Sequence, residues 1–187
     1  MRKVIVFNQV SLDGYFAGVN GDISWAHHDR DDAEWDAFVS GNAAGQGELL
    51  FGRVTYELML RYWPTAAAMA NDPAVATGMN RLPKVVFSRT LDGVTWSNTR
   101  VVKDDMTAEV KRMKKAPGGD MVILGSGSVV SQLAQAGLID EYQVVVLPYV
   151  LGEGRTMFEG LDAKINLSLT STRSFHNGNV LLNYAAA

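Results

Sequence analysis

The chain has 187 residues, of which 47% are hydrophobic and 20% charged; that length and balance fit one globular domain and exclude a disordered or collagen-like polypeptide. Seventeen Lys and Arg stand against twenty Asp and Glu, a net charge of −3, so no general basic field is present to hold nucleic acid or an anionic membrane. Cysteine is absent, which removes disulfides, thiolate-bound metals and a Cys nucleophile.

The first predicted element is a strand over Val4–Val10, β-branched and mostly apolar on both faces, as in a strand buried within a sheet. After Arg2-Lys3 only four apolar residues, Val4–Phe7, precede Asn8, too few for a signal-peptide core, and no apolar run approaches the roughly 18 residues of a membrane-spanning helix. The expectation is therefore a soluble, cytoplasmic protein. A helix follows over Asp32–Ala44, with Asp31 as N-cap and Glu34 as its reciprocal carboxylate. Next come a strand at Leu49–Phe51 and a helix over Thr55–Tyr62. The stretch from Pro64 to Pro83, rich in Ala and Asn, reads as a loop with one short helix.

Further strands are predicted at Val85–Phe87, Met121–Leu124 and Val144–Leu147, with helices over Thr107–Lys115 and Ser128–Ala136, the latter ended by Gly137. Near the C-terminus, Leu167–Thr172 alternates in polarity, and Asn177-Gly178 separates it from Val180–Tyr184 as a hairpin turn would. The order predicts one α/β domain over residues 1–187, with a mainly parallel sheet, flanking helices and an antiparallel C-terminal hairpin edge.

Three strand ends carry groups suited to phosphate. Gly52-Arg53-Val54-Thr55-Tyr56-Glu57 leads from a strand into a helix, where free N–H groups and the positive end of the helix dipole favour an anion. Ser88-Arg89-Thr90 follows the next strand with a guanidinium and two hydroxyls. Gly125-Ser126-Gly127-Ser128-Val129 follows another and allows close backbone approach; it is neither a complete dinucleotide fingerprint nor a Walker loop. Each alone also reads as an ordinary turn, but together they suit a ligand with several phosphates, such as a dinucleotide with an extra 2′-phosphate. Ser11-Leu12-Asp13-Gly14-Tyr15-Phe16-Ala17-Gly18 reads either as a loop over a flat ring or as a plain Asp-Gly turn. Trp25, His27, His28, Asp29, Asp31 and Asp32 read as a solvated helix start, and no metal is expected.

These blocks, with Leu147-Pro148-Tyr149-Val150-Leu151-Gly152-Glu153-Gly154, resemble the dihydrofolate reductase-like superfamily. The resemblance spans roughly residues 2 to 184 and is strongest to the bacterial branch related to the reductase domain of the bifunctional riboflavin-biosynthesis deaminase/reductase. It implies an NADPH-dependent reductase on a mainly parallel eight-stranded sheet, similar to 5-amino-6-(5-phosphoribosylamino)uracil reductase or dihydrofolate reductase. The alternative is a non-catalytic NADP(H)-binding module of the same fold. No zinc-deaminase half is present, since that signature needs Cys.

By that resemblance, Arg53 and Thr55 with Ser88 and Arg89 meet the adenosine-side phosphates, flanked by Gly52, Val54 and Thr90. Gly125, Ser126, Gly127, Ser128 and Val129 form the pyrophosphate loop, and Gln9, Phe16 and Ala17 face the nicotinamide. Asp13 is the candidate catalytic residue, with Trp25, Tyr56, Tyr149 and Glu153 on the substrate side. Asp32 and Glu34 are the candidates for the family's first-helix carboxylate. The expected partner is a small molecule, with a homodimer as the candidate assembly.

Overall fold

Apolar runs and helix-forming stretches alternate along the chain, and the computed structural model, which describes residues 1–27 and 32–187, turns that alternation into one eight-stranded sheet. The strands are β1 (Val4–Val10), β2 (Glu48–Gly52), β3 (Lys84–Phe87), β4 (Thr99–Val102), β5 (Met121–Leu124), β6 (Glu141–Val146), β7 (Leu167–Ser174) and β8 (Val180–Ala186). Their spatial order is β4-β3-β2-β5-β1-β6-β8-β7. From β4 to β6 every pair is parallel, and β8 and β7 complete the sheet as an antiparallel edge. The helices are α1 (Ala33–Ala44), α2 (Arg53–Leu60), α3 (Ala66–Asn71), α4 (Pro73–Arg81), α5 (Met106–Lys115) and α6 (Gly127–Gln135).

Strand parity decides what each face packs against. Val4 and Val6 of β1, Leu50 of β2, Val85 of β3 and Ile123 of β5 point to one face, where Val110 and Met113 of α5 and Val130 and Leu133 of α6 bury them in one continuous core. The other face is covered by two separate clusters. Leu49, Phe51 and Val86 pack beneath α2 and α4 with Tyr56, Met79 and Trp96, whereas Val145, Leu147 and Leu181 pack beneath α1 with Trp35 and Phe175. The division between the clusters runs over β5 and β1. On that face α1 and α4 touch where Gly78 meets Ala43: a Cβ on Gly78 would lie 2.2 Å from the Ala43 carbonyl oxygen, so only glycine allows this approach.

The structure corrects three sequence expectations. Residues 64–83 hold two helices, α3 and α4, rather than one; Thr65 caps α3 and Pro73 opens α4, so the Ala-rich stretch is helical on both sides of Asp72. β4 was not foreseen, because Thr99-Arg100-Val101-Val102 is a four-residue edge strand with no alternation long enough to read. The N-cap of α1 is Asp32, whose carboxylate accepts the N–H groups of Glu34 and Trp35; Asp31 lies outside the described residues.

Candidate active site

β3, β2 and β5 lie side by side and parallel, so the segments leaving their carboxyl ends converge. This is the edge at which open α/β sheets collect ligands. Ser126 Oγ accepts the Gly52 N–H at 3.0 Å, and Thr55 Oγ1 accepts the Ser126 N–H at 3.0 Å. The start of α2 and the start of α6 are therefore tied together. From β1, the buried Asn8 donates through Nδ2 to the Gly125 carbonyl at 3.1 Å and accepts the Gly125 N–H. Sequence reasoning missed Asn8; its signal was an amide next to Gln9 in the otherwise apolar Val4–Val10 run.

Gly125 and Ser126 both have positive φ, +57° and +54°. A Cβ on Gly125 would sit 3.0 Å from Thr55 Cγ2, and one on Gly127 would sit 3.0 Å from the Phe16 ring. Glycine thus lets this loop pass close to α2 on one side and to the 11–17 loop on the other. Asp32, Thr65 and Asp105 cap α1, α3 and α5 with side-chain oxygens, whereas α2 and α6 have no side-chain cap. The Val129 N–H donates to the Ser126 carbonyl, and the N–H groups of Arg53–Thr55 at α2 and of Gly127 and Ser128 at α6 remain for an anion.

A cleft of about 2440 Å³ runs along this edge and over the division between the two clusters. Gln9, Phe16 and Ala17 line it from the first strand and loop. Gly52, Arg53, Val54 and Thr55 line it from α2, as do Ser88 and Arg89 beyond β3, and residues 125–129 at α6. Arg53 is half-exposed, and its Nη1 donates to both carboxylate oxygens of Glu57 at 2.9 Å. Arg89 is exposed, and among the described residues its guanidinium has no ion-pair or hydrogen-bond partner. Ser88 Oγ accepts the Thr90 and Leu91 N–H groups, which fixes the turn that carries Arg89. Thr90 is exposed and does not line the cleft.

The residues expected on the substrate side do not line it either. Tyr56 is 2% exposed, with its hydroxyl accepting the Thr95 and Trp96 N–H groups inside the α2–α4 cluster; it is core, not a wall for a ring. Trp25 and Tyr149 meet edge to face at 6.4 Å outside the cleft lining, and Glu153 is exposed in the neighbouring loop. Asp13 accepts the Leu151 and Gly152 N–H groups at 3.1 and 2.7 Å. Its hydrogen bond with Ser11 and these two N–H groups hold the carboxyl below its ordinary value. It fastens two loops together and is poorly suited to donate a proton.

Residues 2–181 match the RibD C-terminal domain family. The chain belongs to that family. This RibD C-terminal domain is 30% identical over 183 residues to the uncharacterized protein YyaP of Bacillus subtilis, covering 98% of this chain and 94% of that one. In fold it is similar to a riboflavin biosynthesis protein from Shewanella sp. PV-4, at 21% identity, TM-score 0.74 and 99% coverage of both chains. It is also similar to the Thermotoga maritima diaminohydroxyphosphoribosylaminopyrimidine deaminase/5-amino-6-(5-phosphoribosylamino)uracil reductase, at 13% identity and TM-score 0.67, covering all of this chain and 57% of that one. Dihydrofolate reductase from Enterococcus faecalis, solved with NADP(H) and RAB-propyl, shares the fold at 16% identity and TM-score 0.65, with 98% and 96% coverage.

In this RibD C-terminal domain the first-helix carboxylates are distributed differently from the sequence expectation. Burial pulls the Asp32 carboxyl upward, but the N–H groups of Asn177, Trp35 and Glu34 outweigh it and leave the group below its ordinary value. Glu34 pairs with Arg173 at 2.6 Å. Asp32, Glu34 and His176 bring ligand atoms within 4.8 Å of one another, yet two of the three are engaged by these protein partners. The α1 carboxylate that lines the cleft is Asp36, one turn beyond Asp32, which sequence reasoning did not single out. His28 and Asp29, also named in that region, lie outside the described residues.

Proposed function

We propose that the protein is an NADPH-dependent reductase acting on a small heterocyclic or carbonyl substrate. The observation that carries this reading is the convergence of Gly52–Thr55, Ser88-Arg89 and Gly125–Val129 on one sheet edge, with the two helices that start there lacking side-chain caps. The residues fit a dinucleotide phosphate. The starts of α2 and α6 offer backbone donors, Gly125 and Gly127 leave room for close approach, and Arg89 has a guanidinium with no described partner.

In this reading Arg53 and Arg89, with Thr55 and Ser88, hold the adenosine-side phosphates. Gly125–Val129 holds the pyrophosphate, and Gln9, Phe16 and Ala17 border the nicotinamide. Val129 is buried and its N–H donates to the Ser126 carbonyl at 2.8 Å, so its part is to shape the turn that presents Gly127 and Ser128. The chemistry the bound dinucleotide supplies is a hydride for a C=N or C=O bond. The protein's own contribution is orientation: Asn8 sets the Gly125 loop, Thr55 and Ser126 set the distance between the two helix starts, and Asp13 positions the 147–154 loop.

Titration with NADPH and NADH tests the reading. Arg89→Ala is expected to weaken NADPH by about ten-fold or more, ~1.4 kcal/mol, and NADH far less. Equal weakening of both cofactors contradicts the 2′-phosphate assignment, and binding of neither contradicts the reductase.

A further inference from the structure

We infer that the substrate groove of this reductase takes an uncharged, flat, largely apolar ring and discriminates against a phosphorylated or otherwise anionic one. The inference rests on the reductase reading and deepens it by naming the substrate class.

The groove exists because the α1 and α2–α4 clusters do not join over β5 and β1. Ile5 and Phe7 of β1 and Leu124 of β5 form part of its floor. These positions alternate with Val4, Val6 and Ile123, which are fully buried on the other face, and so they are left half-covered. Val39 and Ser40 of α1 stand on one side, and Leu58 and Met59 of α2 on the other. A half-covered apolar floor between apolar walls favours a flat ring by the area it removes from water.

Charge is segregated along the same cleft. The basic side chains lining it among the described residues are Arg53, Arg89, Lys103 and Arg155. The first three stand just past the carboxyl ends of β2, β3 and β4, and Arg155 is bridged to Ala17 and lines a small pocket with Gly127 and Ser128 at the start of α6. Arg53, Arg89 and Lys103 belong to the edge assigned to the cofactor's phosphates, and Arg155 stands where the pyrophosphate loop meets the nicotinamide border, outside the walls that α1 and α2 form. Between α1 and α2 the described lining contains no Lys or Arg, and the ionisable group that α1 contributes is Asp36. An anionic substituent placed there meets a carboxylate and, among the described residues, no cation, while its water is stripped by the apolar walls. A ribosyl phosphate of the kind named for the Thermotoga maritima protein has no basic partner among the described residues that line the groove between α1 and α2.

The test compares two quinones with one ring system, 1,2-naphthoquinone and 1,2-naphthoquinone-4-sulfonate, on the NADPH-saturated protein. Each quinone accepts a hydride equivalent from NADPH and one proton from water to give the hydroquinone and NADP⁺. Each enzymatic kcat/KM is divided by the non-enzymatic rate of that quinone with NADPH, which removes their difference in intrinsic reactivity. The uncharged quinone is expected to lead by about ten-fold or more, given that like-charge juxtaposition costs several kcal/mol. Ser40→Lys, which adds a cation to the α1 wall, is expected to raise the sulfonate's share several-fold with the NADPH Kd unchanged; Asp36→Asn is expected to raise it less. Overturning results are a sulfonate rate equal to or above that of the uncharged ring, no turnover of either quinone by protein that binds NADPH, or a sulfonate share unmoved by both substitutions. Loss of NADPH binding itself, seen in the separate titration, overturns the reductase reading and this inference with it.

Discussion

Asp13 illustrates how one carboxylate can look catalytic in a sequence and act as a fastener in the fold. Its position in Ser11-Leu12-Asp13-Gly14-Tyr15 was legible, but its partners, the N–H groups of Leu151 and Gly152, lie 138 and 139 residues away in the chain. Asp13→Asn is expected to speed amide exchange of Leu151 and Gly152 several-fold, through the loss of a charge-assisted acceptor, with little change in global stability. Unchanged exchange at those two amides contradicts the fastener role. Tyr56 went the other way, expected in the site and found in the core. Its helix starts two residues earlier than the sequence suggested, and Arg53, Val54 and Thr55 take the open turn while Tyr56 turns inward. The same one-turn ambiguity hid Asp36 behind Asp32.

At the scale of elements, the site is a set of strand ends fastened to each other. The glycine-rich and Arg-bearing segments were readable because their residue types are rare outside turns and helix starts. What tied them was not, since Asn8 to Gly125 and Thr55 to Ser126 are long-range contacts with no local pattern. Asn8→Leu strands the N–H and C=O of Gly125 in a buried setting, so a loss of about 2–3 kcal/mol is expected in urea unfolding, with weaker NADPH binding besides. A stability equal to the parent's contradicts the tether. β4 was missed because Thr99-Arg100 leaves it only two apolar residues, where the equally short β3 and β5 show apolar runs of three and four, and the six-residue α3 is too short for a helical period to show.

For the whole molecule, the mainly parallel sheet and its antiparallel edge were legible from the alternation of apolar runs and helices and from the Asn177-Gly178 turn, whereas the spatial order of the strands was not. The division of one face into two clusters was not, because it depends on how far α1 and α2 stand apart. The same packing buries Lys84 at 1% exposure, its Nζ donating to the carbonyls of Leu82, Asn80 and Ser97 and lying 4.5 Å from the Trp96 ring centroid. Burial pushes its pKa from 10.5 down to about 8. Between those values the unfolded chain holds a proton that the folded protein has released, so stability rises with pH across that window and is lost again as pH falls toward about 8. The full span is about 3 kcal/mol at ~1.4 kcal/mol per pKa unit. Burial raises the Tyr142 pKa above 10, which works against stability at the alkaline end, so the comparison belongs below about pH 10. Lys84→Met is expected to flatten the rise between pH 8 and about 10 in chemical denaturation; a variant with the parent's slope contradicts the assignment.

The central claim is that the edge formed by β3, β2 and β5 holds the dinucleotide through the starts of α2 and α6. Amide chemical shifts of ¹⁵N-labelled protein, followed while NADPH is added, test it most directly. The largest changes are expected at Gly125, Gly127 and Ser128 and across Gly52–Thr55, with Asn8 moving beside them. Shifts confined to other parts of the molecule, or none at saturating NADPH, contradict the account.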